Sequence, residues 1–347
     1  MQDDAFHVGV TRVLLRPDGS LVFAPIGLEG LDRLGLVRSF LDEDRSELTP
    51  DQLDGLDALF HFSPAVSAAS LEGVERLALI ARHGVGLDFI DLEACTARGV
   101  AVTITPGGVT RAMASAAVAF VLALSHRLLQ RHERLVAGRW SEGRFDLLGL
   151  GLTGRSLGVI GYGRIGREVV RLLRPWELRV LVAQRSDPRD RDVEHVALET
   201  LLEEADVVVV ACPLTPETYH LLDARRLALM KPAALLVNVA RGPVVDQAAL
   251  AEALREGRLA GAGLDVFEQE PVDTADAILT APGFIGSPHS LGYWDELFRR
   301  CVADACSAIL DVAAGRVPRD VANADVLESS LFTEKLARFA TRRGGSP

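Results

Sequence analysis

Along most of the chain, short runs of consecutive apolar residues alternate with longer stretches whose apolar positions recur three and four residues apart. The runs "DALFHFS", "RLALIARHG" and "GVAVTITP" have the length of buried strands. Between the last two, "DFIDLEACTARG" has helical spacing and ends on Gly99, the residue type that most readily closes a helix. A second series opens at Leu157 with "LGVIG", "RVLVAQ", "DVVVVACP", "AALLVNVA", "GAGLDVF" and "FIGSPH", with helical stretches such as "ALETLLEEA" and "DQAALAEALREG" between most of them. Strands that are apolar on both faces and alternate with helices predict a parallel sheet covered on both sides. Two such series predict an α/β protein with two domains. A long helix from about Thr110 to Ala137, after the turn residues "TPGG", is the expected join, and a last helix from about Tyr293 to Ala314 would return the chain to the first domain. The expected division is 1–109 with 292–347 as one discontinuous domain, and 110–291 as the second. The tail "ATRRGGSP" reads as disordered, and no internal repeat or low-complexity segment is visible.

Composition narrows the class. With 347 residues, 48% hydrophobic and 24% charged, the chain is long enough for two ordinary globular domains with substantial cores. A net charge of −11 argues against nucleic acid as a partner, because binding phosphate backbones needs a positive field. Cys95, Cys212, Cys301 and Cys306 form no CxxC pair, so buried free thiols in a reducing compartment are expected, with no metal. The start "MQDDAFHVGV" is acidic where a signal peptide would be basic. The most apolar run, "AMASAAVAFVLAL", is too short for a bilayer, which needs about 20 residues. A cytoplasmic protein with no membrane partner is expected.

Gly161, Gly163 and Gly166 form GxGxxG. The pattern is weak alone, but here it follows the strand "LGVI" and opens the helix "RIGREVVRLLRP", the context in which it binds a dinucleotide. Gly161 would allow the turn, Gly163 would admit a pyrophosphate, and Gly166 would let helix and strand pack. The backbone around Arg164 and Ile165 would offer N–H groups at a positive helix end. The acid that usually ends the second strand and holds a ribose is absent; Gln184, Arg185 and Ser186 stand there. Gln184 removes the repulsion of a 2′-phosphate, Arg185 can pair with it and Ser186 can donate to it, which favours NADP over NAD. Asp187 is the opposing residue: it either replaces the missing acid or begins the loop before Pro188.

Three later segments, "LLVNVARGPVVD", "GLDVFEQEP" and "FIGSPHSLG", each put a polar group just after an apolar strand. Ligands of open α/β sheets bind outside the carboxyl ends of the strands. Arg241, Glu270 and His289 are therefore candidates to converge there, although each alone has an ordinary surface or structural reading.

These segments also carry a resemblance. From about Leu77 to Asn323 the chain resembles the D-isomer-specific 2-hydroxyacid dehydrogenases: "ARHGVGLDFIDLEACTARGVAV" in the first domain, then "LGVIGYGRIG", "PLTPETYHLL", the stretch from "LMKPAALLVNVARG" to "FEQEP", and "SPH". Arg241 and Glu270 are 29 residues apart (270 − 241), and Glu270 and His289 are 19 apart (289 − 270). In "FEQEP" the resemblance selects Glu270, next to Pro271, over Glu268. It implies two Rossmann-like, doubly wound parallel-sheet domains separated by a cleft whose closure excludes water. It implies His289 as acid and base toward the substrate's C2 oxygen, Glu270 as the partner that orients it, and Arg241 as the carboxylate holder. Backbone amides at Val85 and Gly86 would complete the carboxylate site. Asp265 would lie near the nicotinamide amide, and Cys212, Pro213 and Thr218 would flank the cofactor. The implied substrate is a small 2-keto or 2-hydroxy acid, with glyoxylate or hydroxypyruvate the first expectation and phosphoglycerate the alternative. A homodimer built on a helix at Arg111 to Leu129 is implied as well.

The chain also departs from the family pattern. Phe89 follows Asp88 where many relatives have Asn, Ser115 follows Ala114 where many have Glu, and Tyr293 and Trp294 replace a glycine-rich turn. Those two aromatics either border the substrate or pack in the core. Two other readings compete. "GRSLG" at Gly154–Gly158 matches a hydrolase nucleophile motif, but precedes its strand where that motif must follow one. A non-catalytic NAD(P)H-sensing, corepressor-like protein would use the same fold.

Overall fold

The computed structural model describes residues 5–23, 27–32 and 35–343. The chain separates into two compact units, Met1–Val109 with Trp294–Pro347, and Thr110–Tyr293. In the first unit, strands β1 (Phe6–Val10), β2 (Leu36–Phe40), β3 (Ala58–His61), β4 (Leu79–Arg82) and β5 (Ala101–Thr103) form one sheet in the order β2-β1-β3-β4-β5. Every pairing is parallel. This is the flavodoxin-like order. Helices α1 (Pro50–Leu53) and α2 (Leu92–Ala97) belong to it, with Asp91 capping α2 through the Ala94 N–H and Gly99 at φ +61 ending it. The three strands expected from the sequence are present. β2 went unread because it lies at the sheet edge with no buried position, and β1 beside it also went unread.

The second unit holds β6 (Ser156–Ile160), β7 (Arg179–Ala183), β8 (Glu194–His195), β9 (Val207–Val210), β10 (Leu235–Asn238), β11 (Gly261–Leu264) and β12 (Phe284–Gly286). Their order, β12-β11-β10-β9-β6-β7-β8, is that of a dinucleotide-binding sheet with one added strand. β9 explains the continuous apolar runs. Val207 and Val209 pack with Phe120, Val121 and Leu173 on one face. Val208 and Val210 pack with Leu201, Leu227 and Leu250 on the other. Side chains that alternate between two buried faces leave no polar position in the strand.

The joining helix differs from the expectation. Helix α3 runs Pro106–Ser125, α4 runs Leu128–Val136 and α5 runs Trp140–Phe145. The residues "TPGG" are not a turn before the helix, since Pro106, Gly107 and Gly108 form its first turn. Proline suits that position, and a Cβ on Gly108 would lie 2.4 Å from Cys301 Sγ and 2.9 Å from Leu297 O, so the glycine serves close packing. At the other end the expected continuous helix breaks at Arg127, which has φ +50. There the chain at Gly149–Leu150 takes over the end of α3, with Leu150 N–H donating to Ser125 O. The helix at Arg111 to Leu129 is thus two segments. At 20 residues, α3 is also long and apolar enough to cross a bilayer, which corrects the judgement that its apolar run is too short. Half of its apolar window is buried.

Helices α6 (Arg164–Leu173), α7 (Leu198–Glu204), α8 (Ala224–Leu227) and α9 (Gln247–Arg255) cover the second sheet. Helix α10 (Asp295–Ala313) falls where the last helix was expected, but α11 (Ser330–Arg343) follows it. Ala340–Arg343, read as the start of a disordered tail, close this helix; residues 344–347 lie outside the described residues. α11 is held by the buried Phe332 and Phe339 and by Lys335 Nζ, which donates to Leu77 O and Arg98 O at 2.7 Å each.

Candidate active site

The glycine loop joins β6 to α6 at the point where the strand order of the second sheet reverses, between β6 and β9. Its three glycines have three different surroundings. Gly161, at φ +91, lies against Cys212, where a Cβ would meet backbone at 2.6 Å. Gly166 lies against Gly161 O, where a Cβ would be 2.3 Å away. A Cβ on Gly163 would meet no protein atom within 4 Å. The first and third glycines close the packing and the second faces open space at the start of α6. A pyrophosphate fits there, at the positive end of the helix that Arg164 and Ile165 open.

At the end of β7, both ends of the Gln184 amide are engaged. Oε1 accepts from Tyr162 N–H at 3.2 Å and Nε2 donates to Ser186 O at 2.6 Å. The side chain thus closes over the glycine loop. Asp187 Oδ1 accepts from Arg189 N–H at 2.8 Å, an arrangement of the loop residue that the sequence left as one of two options. Arg185 is exposed and approaches the "PLTPET" loop. There the Glu217 carboxyl is held below its ordinary value, first by the Thr215 hydroxyl and also by the Arg185 charge. Thr218 Oγ1 folds that loop, donating to Pro213 O at 2.8 Å and accepting from Thr215 N–H at 2.7 Å. Cys212 is half-buried, and burial pushes its thiol up to about 11. The four cysteines are free, and among the described residues no cluster of metal ligands occurs.

The three titratable candidates lie after neighbouring strands of this sheet: Arg241 after β10, Glu270 after β11, His289 after β12. Asn238, the last residue of β10, shapes the first of these turns, with Nδ2 donating to Arg241 O at 2.9 Å and Oδ1 accepting from Ala240 N–H at 3.0 Å. His289 Nδ1 lies 2.7 Å from Glu270 Oε2, and Glu270 Oε1 accepts from Phe267 N–H at 3.0 Å. Burial pushes the Glu270 carboxyl up. The His289 hydrogen bond, the Phe267 N–H and the charges of His289 and Arg241 outweigh it, leaving the carboxyl below its ordinary value. His289 itself is in the left-handed region at φ +52, which a non-glycine residue holds only where its surroundings enforce it. Asp265 supplies part of that enforcement, for its Oδ1 accepts from both Ser290 and Leu291 N–H at 3.0 Å. The imidazole is 44% exposed, and among the described residues its Nε2 has no protein partner. A ring with one nitrogen fixed by a carboxylate and the other open can pass a proton.

Asp265 is 1% exposed, and burial raises its carboxyl above the ordinary value against the opposing pull of the Leu291 N–H. Its Oδ2 has no aligned hydrogen-bond partner among the described residues, although the Ser287 hydroxyl is near enough to lower the carboxyl's value. A buried acceptor of this kind fits an amide donor. In the first unit, Arg82 Nε donates to Gly86 O at 3.2 Å, and Arg82 also binds Phe62 O. Among the described residues neither the Val85 nor the Gly86 N–H has a protein acceptor. Tyr293 is 45% exposed, and the half-buried Trp294 is the N-cap of α10. Ser156 of "GRSLG" is the first residue of β6, and the strand-then-helix geometry of a nucleophile elbow is not present there.

Sequence reasoning passed over Glu268, Gln247 and His220, which join the Arg241 and Glu270 turns. The signal was in plain view, a second acid in "FEQEP", but its partners are distant in sequence.

Residues 118–290 match the D-isomer specific 2-hydroxyacid dehydrogenase, NAD binding domain. The chain is 37% identical over 269 residues to a glyoxylate reductase of Korarchaeum cryptofilum, covering 76% of this chain and 81% of that one. It is 37% identical over 270 residues to a glyoxylate reductase of Thermococcus litoralis, covering 75% and 81%. Among solved structures it is similar to the NADPH-dependent glyoxylate/hydroxypyruvate reductase of Sinorhizobium meliloti in complex with NADP and malonate. That similarity has a TM-score of 0.78 at 28% identity and covers 92% of this chain and 98% of the other.

Proposed function

The chain belongs to the D-isomer specific 2-hydroxyacid dehydrogenases, NAD(P)-dependent oxidoreductases of CH–OH groups, and we propose that within them it is an NADP-preferring reductase of small 2-keto acids. Glyoxylate and hydroxypyruvate are the proposed substrates, on the support of the glyoxylate reductase relatives and the Sinorhizobium meliloti enzyme. The observation that carries the reading is the 2.7 Å pair of His289 Nδ1 and Glu270 Oε2, after the strands of a sheet that also bears the glycine loop.

The bound nicotinamide supplies or accepts a hydride at the substrate's C2. His289 Nε2 gives a proton to the C2 oxygen in reduction and takes it back in oxidation. Glu270 holds the ring by its other nitrogen and so aims Nε2 at the substrate. Arg241 holds the substrate carboxylate. Arg185 and Ser186 would hold the 2′-phosphate of NADP, and Asp265 Oδ2 would accept from its carboxamide. Initial rates on a panel of 2-keto acids, with NADPH and NADH side by side, test the reading.

We also propose a cytoplasmic homodimer. Four free thiols support the compartment. Leu135, Val136, Trp140 and Leu148, at 53%, 70%, 66% and 87% exposure on and after α4, support the dimer. Sedimentation should give twice the chain mass, and Leu135→Glu with Val136→Glu should shift it toward one chain.

A further inference from the structure

The turn bearing Arg241 and the turn bearing Glu270 press directly on each other. A Cβ on Gly242 would lie 1.9 Å from the carbonyl carbon and oxygen of Phe267 and 2.4 Å from Glu268 N, so no other residue fits without moving one of the turns. Immediately beside this contact, Glu268 and Gln247 hold each other reciprocally. Gln247 N–H donates to Glu268 Oε1 at 2.8 Å, and Glu268 N–H donates to Gln247 Oε1 at 3.1 Å. Gln247 is 7% exposed, and its Nε2 donates onward to Asp276 Oδ2 at 2.7 Å. A third segment joins at the same place. His220 N–H donates to Pro243 O at 2.7 Å, and His220 Nε2 comes within 3.0 Å of Glu268 Oε1. That approach is close but lacks hydrogen-bond alignment. The Gln247 bonds are the clasp itself, and the His220 ring lies against it.

We propose that Glu268 and Gln247 are positioning residues for the reaction, their clasp setting the distance between Arg241 and the Glu270–His289 pair. The inference rests on the reading of those three as the reacting set. Its physical basis is the shared peptide segment. Phe267 N–H holds Glu270 Oε1, Glu268 N–H is in the clasp, and Gly242 rests on the peptide between them. A shift of that segment moves the carboxylate that aims His289 and the turn that aims Arg241 together. Misplacement of about 1 Å away from the reacting atoms can lower a rate roughly 10²-fold.

The test uses the full chain with Glu268→Ala, Glu268→Gln and Gln247→Ala. Three quantities are measured: kcat and KM with glyoxylate and NADPH, the thermal midpoint, and the low-field proton resonance of His289 Nδ1–H, assigned by its loss in His289→Ala. Glu268→Ala should lower kcat about 10- to 100-fold, leave KM for NADPH within about twofold, and broaden or abolish the resonance. Glu268→Gln keeps the acceptor for Gln247 N–H and should recover most of the rate and the resonance. Gln247→Ala should follow Glu268→Ala, and it decides the matter if Glu268→Ala does not fold. A folded Glu268→Ala with an unchanged resonance, or with a lowered thermal midpoint and unchanged kcat, would overturn the proposal. If the wild-type protein reduces no 2-keto acid, the proposed function fails alone, and the resonance in the three variants still decides the clasp.

Discussion

At the carboxyl edge of the first sheet, His61 ends β3 and His83 follows β4, and they are 0% and 5% exposed. Burial first, and then the Arg82 charge, pulls each imidazole from 6.5 to about 3. Among the described residues His61 Nδ1 and His83 Nε2 have no partner, and His83 stacks on Phe298 with ring centroids 5.1 Å apart. At the same edge of the second sheet, His289 is 44% exposed and bound to a carboxylate. The two sheets are built alike, so architecture does not decide what a histidine does. Burial without a counter-charge makes the first pair neutral packing groups, whereas His289 has a carboxylate partner and an open nitrogen, the arrangement on which the proposed proton transfer rests.

The largest expected effect separates these environments directly. His289→Ala should lose about 10²-fold or more in turnover while NADPH binding persists. His83→Phe, placed among Phe60, Phe62 and Phe298, should change turnover only a few-fold. Equal losses in the two variants would erase the distinction. Next is the cofactor end of the second sheet. Arg185→Ala should weaken NADPH by about tenfold or more, the usual worth of a charge-assisted bond, and NADH by less than about twofold. Parallel weakening of both would remove Arg185 from the 2′-phosphate.

A pH series gives the smallest effect and sharpens the contrast from the first sheet. The folded values of His61 and His83, about 3, lie below the unfolded value of 6.5. Between them the unfolded chain binds protons that the folded unit does not. This contribution to stability is therefore complete above pH 6.5 and lost as pH falls toward about 3. Denaturant unfolding from pH 7 to pH 4 should show stability falling with acid in the wild type and falling less in His83→Phe. An identical pH slope in both would contradict the assignment of neutral buried histidines.

The second sheet was far more legible from sequence than the first. Its strands are buried on both faces and so read as unbroken apolar runs, and its first and third loop glycines are required by close packing. Arg241, Glu270 and His289 could be found because each follows such a strand. The start of α3 was misread because glycine serves two purposes: Gly108 is there to let α10 approach, and in sequence it looks like a turn. The break at Arg127 was hidden because the residues that end the helix, Gly149 and Leu150, lie more than 20 positions later. The tail was misjudged because its local composition is polar while Phe332 and Phe339, upstream, anchor the helix. At Gln184 the sequence shows that an acid is missing and not that the amide closes onto Tyr162.

The central claim is that His289 transfers the proton in an NADPH-linked reduction of a small 2-keto acid. Its most direct test is the initial rate of glyoxylate and hydroxypyruvate reduction, measured with NADPH and with NADH, for the wild-type protein and His289→Ala. The account predicts turnover of at least one of the two acids, faster at low cofactor with NADPH, and about 10²-fold slower in the variant. Turnover by the variant at the wild-type rate, or wild-type turnover with NADH alone, would contradict it.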